Sequence, residues 1–183
     1  MNNNFKTVHS SKITLSELML PSHTNFSGKI HGGYILSLLD QIAFACASKY
    51  SGFYCVTASV DTVDFLNPIE VGELVTLKAS VNYVGKSSMI VGIRVEAENI
   101  QSGLVKHCNS SYFTMVAKDK EGKNVTVPAL KLINKDELRR YFNCLKLIAL
   151  KKEHSQHEAK SDFESKENLE ILKNYRVIYN EQH

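Results

Sequence analysis

Asp40 follows the glycine pair Gly32-Gly33 by seven residues and is the one carboxylate in an otherwise apolar stretch. Beside it Ile35, Leu38, Leu39, Ile42, Ala43, Cys46 and Ala47 recur at helical spacing, which predicts a helix covered over most of its surface. A carboxylate in such company is paired, hydrogen-bonded or used. If used, it can draw a proton from water or attack a carbonyl itself. The plainer reading is an aspartate at the edge of the stripe, bonded to a nearby backbone amide. The first turn of a helix leaves amides unpaired at the positive end of its dipole, so the N–H groups near Gly33 and Tyr34 suit a developing oxyanion. Glycines there would also let a substrate come close. Just upstream, His31 invites a general-base role and Asn25 offers a polar amide, although an asparagine in such a loop reads first as an Asx turn. Further on, Gly85-Lys86-Ser87-Ser88 combines turn amides, two hydroxyls and an ammonium, a set that holds phosphates and that, taken alone, is also an ordinary hairpin turn.

The elements that must carry these residues follow from the pattern of the rest of the chain. Ser51-Gly52 stops the helix, and Tyr54 to Phe65 reads as one strand with Val56, Ala58 and Val60 on one face and Thr57, Ser59 and Asp61 on the other. Leu74 to Tyr83 alternates, with Val75, Leu77, Ala79, Val81 and Tyr83 inward and Thr76, Lys78, Ser80 and Asn82 outward. After the turn at Gly85, Met89, Val91, Ile93, Val95 and Ala97 face in while Arg94, Glu96 and Glu98 face out. A fourth long strand is expected from about Leu104 to Ala117, a short last segment at Val125 to Val127 before Pro128, and a first strand near Lys12 to Met19. One long helix with antiparallel strands has a natural arrangement, the helix lying across the apolar face of the sheet.

From Asn134 the composition turns to lysine, glutamate and leucine, and Asn134-Lys135-Asp136-Glu137 has the form of a helix cap with its acid three residues on. Leu138, Tyr141, Phe142, Leu145 and Ile148 make a stripe there. A polar break from His154 to Glu164 separates it from a second helical segment at Leu169, Leu172, Tyr175 and Ile178. These stripes need a surface, either on their own domain or on a neighbouring subunit.

Composition narrows the class. The chain has 183 residues, 43% of them hydrophobic, with no run of eighteen apolar residues and no signal-peptide pattern at Met1-Asn2-Asn3-Asn4-Phe5-Lys6, so a soluble, cytoplasmic protein is expected. Cys46, Cys55, Cys108 and Cys144 show no CxxC spacing, which reads as reduced packing residues rather than a zinc site or a disulfide framework. A net charge of +3 is too small to argue for nucleic acid but suits an anionic ligand.

Four segments in order carry a resemblance: Pro21-Ser22-His23-Thr24-Asn25; His31-Gly32-Gly33 followed by Asp40; Asp64-Phe65-Leu66-Asn67-Pro68-Ile69 with Val71-Gly72-Glu73; and Val84-Gly85-Lys86-Ser87-Ser88. Over roughly Leu15 to Pro128 the chain resembles the hotdog-fold acyl-CoA thioesterases, in their acyl-CoA hydrolase branch. The resemblance implies an α+β fold, a single hotdog domain over residues 1–130 in which a long central helix is wrapped by a curled antiparallel sheet of about five to six strands, with a helical C-terminal tail over 131–183. It implies hydrolysis of the thioester of fatty acyl-CoA to CoA and a carboxylic acid. In that reading Asp40 is general base or nucleophile, Gly33 an oxyanion donor, and Asn25 of the partner subunit orients the water or polarises the carbonyl.

The same resemblance puts the turn Gly85-Lys86-Ser87-Ser88 near the nucleotide of CoA, and Gly32, Tyr34 and His31 along the substrate, His31 lining the pocket rather than acting as the base. No cofactor or metal is implied, CoA being part of the substrate, and no nucleic acid or membrane partner. The assembly implied is a homodimer at least, with a hexameric trimer of dimers a common further step. A competing class keeps the fold as an acyl-CoA-binding sensor without catalysis, which the loss of Asp40 or Asn25 would favour; both are present. The hotdog hydratases pair a histidine with the acid, and Ala45 and Cys46 stand where that partner is sought.

Overall fold

The computed structural model describes residues 4–158, 165–172 and 174–177. Close contacts divide the chain into two units, residues 1–144 and 145–183. The first is a hotdog fold. A 20-residue helix α1, Gly32–Ser51, lies against an antiparallel sheet built from β2 (Ile13–Leu18), β3 (Tyr54–Val60), β4 (Asp64–Phe65), β5 (Glu73–Val84), β6 (Ser88–Asn99) and β7 (Val105–Lys118). The strands run in the order β2-β5-β6-β7-β3, with β4 also paired to β7. Three long neighbours, β5, β6 and β7, form the middle of the sheet, and their alternation is what the sequence shows most cleanly.

The inward residues of those strands and the apolar stripe of α1 make one core. Ile35, Leu38, Leu39, Ile42, Ala43, Cys46 and Ala47 are all buried, and they meet Val75, Leu77, Ala79 and Val81 of β5, Met89, Val91 and Ile93 of β6, and Phe113 and Met115 of β7. All four cysteines are free and buried. Gly52 ends α1 in the left-handed conformation at φ 81°, its N–H bonded to Ser48 O at 2.8 Å, a geometry that costs glycine little.

Several expectations change in three dimensions. The segment Tyr54 to Phe65 is two strands, because the ladder with β7, which carries a bulge between Thr57 and Ser59, stops after Val60 and resumes only at Asp64 in β4. The faces of β3 change too. Cys55 is its buried residue, while Ala58 and Val60 are exposed, since β3 is an edge strand and alternation there does not report the core. Ser80 and Asn82, expected outward to solvent, are buried and bonded to each other at 3.0 Å.

The last strand falls after Pro128, not before it: β8 is Ala129–Lys131, paired in parallel with β1, Phe5–Thr7. The Tyr50 hydroxyl donates to Ala129 O at 3.0 Å and ties that pair to α1, whereas Val125 and Val127 bond singly to Ala117 O and Lys86 O.

Helix α2, Lys135–Glu158, starts as its cap predicts, with Asn134 Oδ1 accepting from Glu137 N and Glu137 Oε2 accepting from Ile133 N. It runs through the first part of the expected polar break, whose remainder from residue 159 lies outside the described residues. Within the first unit Tyr141 packs on Tyr83 and Cys144 is buried, but Leu138 and Phe142 of the anticipated stripe are exposed. In the second unit Leu145 is exposed, and α3, Lys166–Leu172, contains Leu169; Tyr175 lies beyond it in a turn, and Ile178 falls outside the described residues. No helix among the described residues is long and apolar enough to cross a membrane.

Candidate active site

Asp40 is exposed, although Leu39, Ile42 and Ala43 around it are buried. The sheet covers only part of α1, and Gly33, Leu36, Ser37, Asp40, Gln41 and Phe44 form the open strip that remains. Its partner is not a backbone amide. The Thr57 hydroxyl on β3 donates to Asp40 Oδ1 at 2.6 Å, a charge-assisted bond that fixes the carboxylate against the sheet edge and leaves its second oxygen for other work. Thr57 is the partner of Asp40 that the sequence did not single out. Its strand was legible, but nothing in the spacing tied a hydroxyl on β3 to an acid 17 residues earlier.

The helix start is arranged differently from the expectation. His31 is the N-cap: its Nδ1 accepts from Gly33 N at 2.9 Å and its carbonyl accepts from Tyr34 N at 3.0 Å. Both amides assigned to the oxyanion are thus occupied in this conformation. Gly32 N–H has no acceptor among the described residues. The glycines, too, are already approached from within the protein. A Cβ on Gly33 would lie 2.7 Å from His31 Cε1, and one on Gly32 would lie 3.3 Å from the Phe65 ring. Tyr34 turns its hydroxyl to the Glu17 carboxylate and stacks on His23 with ring centroids 4.0 Å apart. The hydrogen bond to Glu17, helped by burial and by that carboxylate's charge, raises the Tyr34 pKa above the ordinary phenol value.

Asn25 does form the local turn expected of it. Its Oδ1 accepts from Ser27 N at 3.0 Å, Ser27 Oγ at 2.7 Å and Lys29 N at 3.2 Å. These bonds settle the orientation of the side chain and leave Nδ2, which has no acceptor among the described residues, to donate outward. The loop is held at both ends, by His31 N to His23 O at 2.8 Å, Ile30 N to Ile69 O at 2.9 Å and a 2.6 Å ion pair between Lys29 and Glu70.

Gly85 to Ser88 is the hairpin joining β5 to β6, closed by Gly85 N to Ser88 O at 2.8 Å and steadied by Ala117 N to Ser87 O and Val127 N to Lys86 O. It lies where β7 ends and β3 begins, beside the end of α1, whereas the Asn25 loop joins the start of α1 beside the start of β5. One chain therefore holds its phosphate-type turn and its helix start at opposite ends of a 12-residue strand. Gly33 and Asp40 share the open strip but are about 10 Å apart along the helix, too far to act on one carbonyl. A single chain therefore carries these groups without bringing them together.

Residues 27–104 match the model of the family described as the thioesterase superfamily. The chain is similar to Protein VdlD of Helicobacter pylori, 44% identical over 140 residues that span 76% of this chain and 80% of that protein. It is similar in structure to an apo-hexameric acyl-CoA thioesterase, with TM-score 0.77 and 34% identity over 85% of this chain and 97% of the other. The acyl-CoA hydrolase of Staphylococcus aureus, solved with butyryl-CoA, CoA and CoA disulfide, gives TM-score 0.77 and 31% identity over 92% and 99%. That hydrolase has also been solved as three variants in which an asparagine, an aspartate and a threonine are each replaced by alanine, spaced 15 and 17 residues apart like Asn25, Asp40 and Thr57 here.

Proposed function

Because the chain belongs to the thioesterase superfamily, we propose that it is an acyl-CoA hydrolase that cleaves fatty acyl-CoA to CoA and the free acid, using Asp40 with Asn25 of the partner subunit. The observation that carries this reading is Asp40 itself, a carboxylate on the open strip of an otherwise covered helix, held by Thr57 at 2.6 Å with one oxygen unspent. The spacing of the asparagine, aspartate and threonine replaced in the S. aureus hydrolase supports the same trio.

In the general-base route Asp40 takes a proton from water as that water adds to the thioester carbonyl. The tetrahedral intermediate then expels the CoA thiolate, which recovers the proton. In the nucleophilic route Asp40 adds to the carbonyl, CoA leaves, and water hydrolyses the mixed anhydride. Both need donors for the oxyanion. On the subunit that supplies Asn25, Asn25 Nδ2 and Gly32 N–H have no acceptor among the described residues, while Gly33 N–H, bonded to His31 Nδ1 at 2.9 Å, would have to leave that cap to join them. The CoA moiety is assigned to Gly85, Lys86, Ser87 and Ser88, with His31, Gly32 and Tyr34 along the acyl-pantetheine arm. The separation of these groups within one chain is the physical argument for a dimer at least, and the hexameric relative makes a trimer of dimers the assembly to look for.

The test is thiol release from a panel of acyl-CoAs, short to long, for wild type beside Asp40→Asn. Release by wild type with at least a 100-fold loss in the variant, and CoA-ester binding retained, is the expected result. Tight binding without release by wild type moves the protein to the sensor class. A single turnover in ¹⁸O-water that places label in Asp40 marks the nucleophilic route with water attacking the Asp40 carbonyl, since the general-base route labels only the released acid.

A further inference from the structure

We propose that the cavity beside Asn25 takes the acyl chain of the substrate and that Phe65 sets how long a chain it accepts. The inference rests on the hydrolase reading and adds the selectivity residue to it. The cavity is an open cleft of about 390 Å³, with Asn25, Lys29 and Gly32 at its lining and Ile30, Ile35, Phe65 and Ile69 among its walls. Asn25 and Gly32 are the groups assigned to the thioester carbonyl, so the chain attached to that carbonyl starts at this cavity.

The walls suit an alkyl chain and not the pantetheine arm. Their backbone groups are already bonded: Ile30 N–H to Ile69 O and Leu66 N–H to Cys108 O, both at 2.9 Å. The Asn67 amide is likewise spent on His107 O at 2.8 Å. Past Asn25 and Gly32, whose donors the thioester carbonyl occupies, the amides of pantetheine would lose water against Ile30, Ile35 and Ile69 without recovering partners, whereas methylenes need none. Ile35 and Ile69 are buried and close the floor.

Phe65 is placed to act as the variable wall. The strand and loop around it are anchored to β7 on both sides, by Asn109 Nδ2 to Asp64 O at 2.9 Å and by the bonds of Leu66 and Asn67. The ring lies on Gly32, where any Cβ would come within 3.3 Å of it, so the glycine is what lets the ring sit there. Yet Phe65 is half exposed, an aromatic surface held in place beside the cavity and left uncovered by the described residues. An acyl chain lying along the cavity covers it.

The experiment compares kcat/KM over acyl-CoAs of rising length for wild type, Phe65→Leu, Phe65→Ala and Phe65→Trp, with the mass of the assembly measured for each. Each methylene that gains a place in the pocket is worth about fourfold. The smaller side chains are expected to move the optimum to acyl chains longer by about two carbons or more, and tryptophan to move it shorter. The graded leucine variant keeps the question decidable if alanine does not fold. Parallel profiles in all variants, or an equal loss at every length with a changed assembly mass, would overturn the proposal, the second showing that Phe65 contacts another copy of the chain. If wild type releases no thiol at all, the hydrolase reading fails. The length dependence of acyl-CoA affinity, measured by calorimetry on the same variants, then decides the cavity by itself.

Discussion

Replacing Thr57 with valine removes one hydroxyl and nothing else of comparable size, so it isolates the bond to Asp40. A hydrogen bond to a charged group contributes roughly 1.5–3 kcal/mol when water does not compete. In the free protein water does compete, because Thr57 and Asp40 are both exposed, and the melting temperature should hardly move. Once a substrate covers the strip, water leaves and the bond alone orients the carboxylate. The loss then falls on the reaction, about 10- to 100-fold in kcat with KM nearly unchanged. Thr57→Ser restores the hydroxyl without the methyl and should recover most of the rate. Thiol-release kinetics and thermal melting of the two variants beside wild type provide the readout. A valine variant within twofold of wild-type kcat, or a serine variant as slow as the valine one, would refute the claim that Thr57 positions Asp40.

Lys86→Ala should raise KM severalfold at low salt with kcat unchanged, and the difference should shrink toward high salt as screening shortens the reach of the ammonium; a kcat loss alone would count against a CoA contact. Gly33→Ala should leave the melting temperature near its original value while slowing turnover. The methyl displaces the His31 cap, a loss of about 0.5–2 kcal/mol, but alanine returns about 1 kcal/mol of helix propensity. Glu96 lies between Lys78 and Arg94, at 2.6 and 2.7 Å, and hydrogen bonds from these two cations, Lys78 first, hold its carboxyl below the usual range. A depressed folded value means stability that is present above the ordinary carboxylate pKa and lost as pH falls through the folded one. Glu96→Gln should therefore melt earlier than wild type at neutral pH and converge with it in acid, as calorimetry across that range will show. Leu39→Ala, at a fully buried position, should cost about 2–5 kcal/mol, and a denaturant midpoint that hardly moves would mean the α1 core is packed otherwise.

What the chain states locally, it states well. The stripe from Ile35 to Ala47, the alternation through β6 and through β5 as far as Ala79, the stop at Gly52 and the cap at Asn134 all depend on residues within a turn or two of one another, and all are found where the pattern puts them. The quoted segments around Asn25, Asp40 and Gly85 were likewise readable, because a motif is a local object. Edges were not. Whether Val60 faces a core, whether the segment before or after Pro128 becomes a strand, and whether Asp40 sits in the stripe or on the open strip all depend on which surfaces remain after the sheet has closed over part of α1. The contacts that arrange the candidate site belong to the same class. Thr57 on Asp40, His31 over Gly33 and Phe65 over Gly32 join groups whose identities are plain in the sequence but whose meeting follows from backbone paths set by the whole sheet. Residue types and periods determined which chemistry was available; the tertiary structure decided which groups were spent on holding the fold and which were left to act, since a donor or a ring can be used only where packing has not already used it.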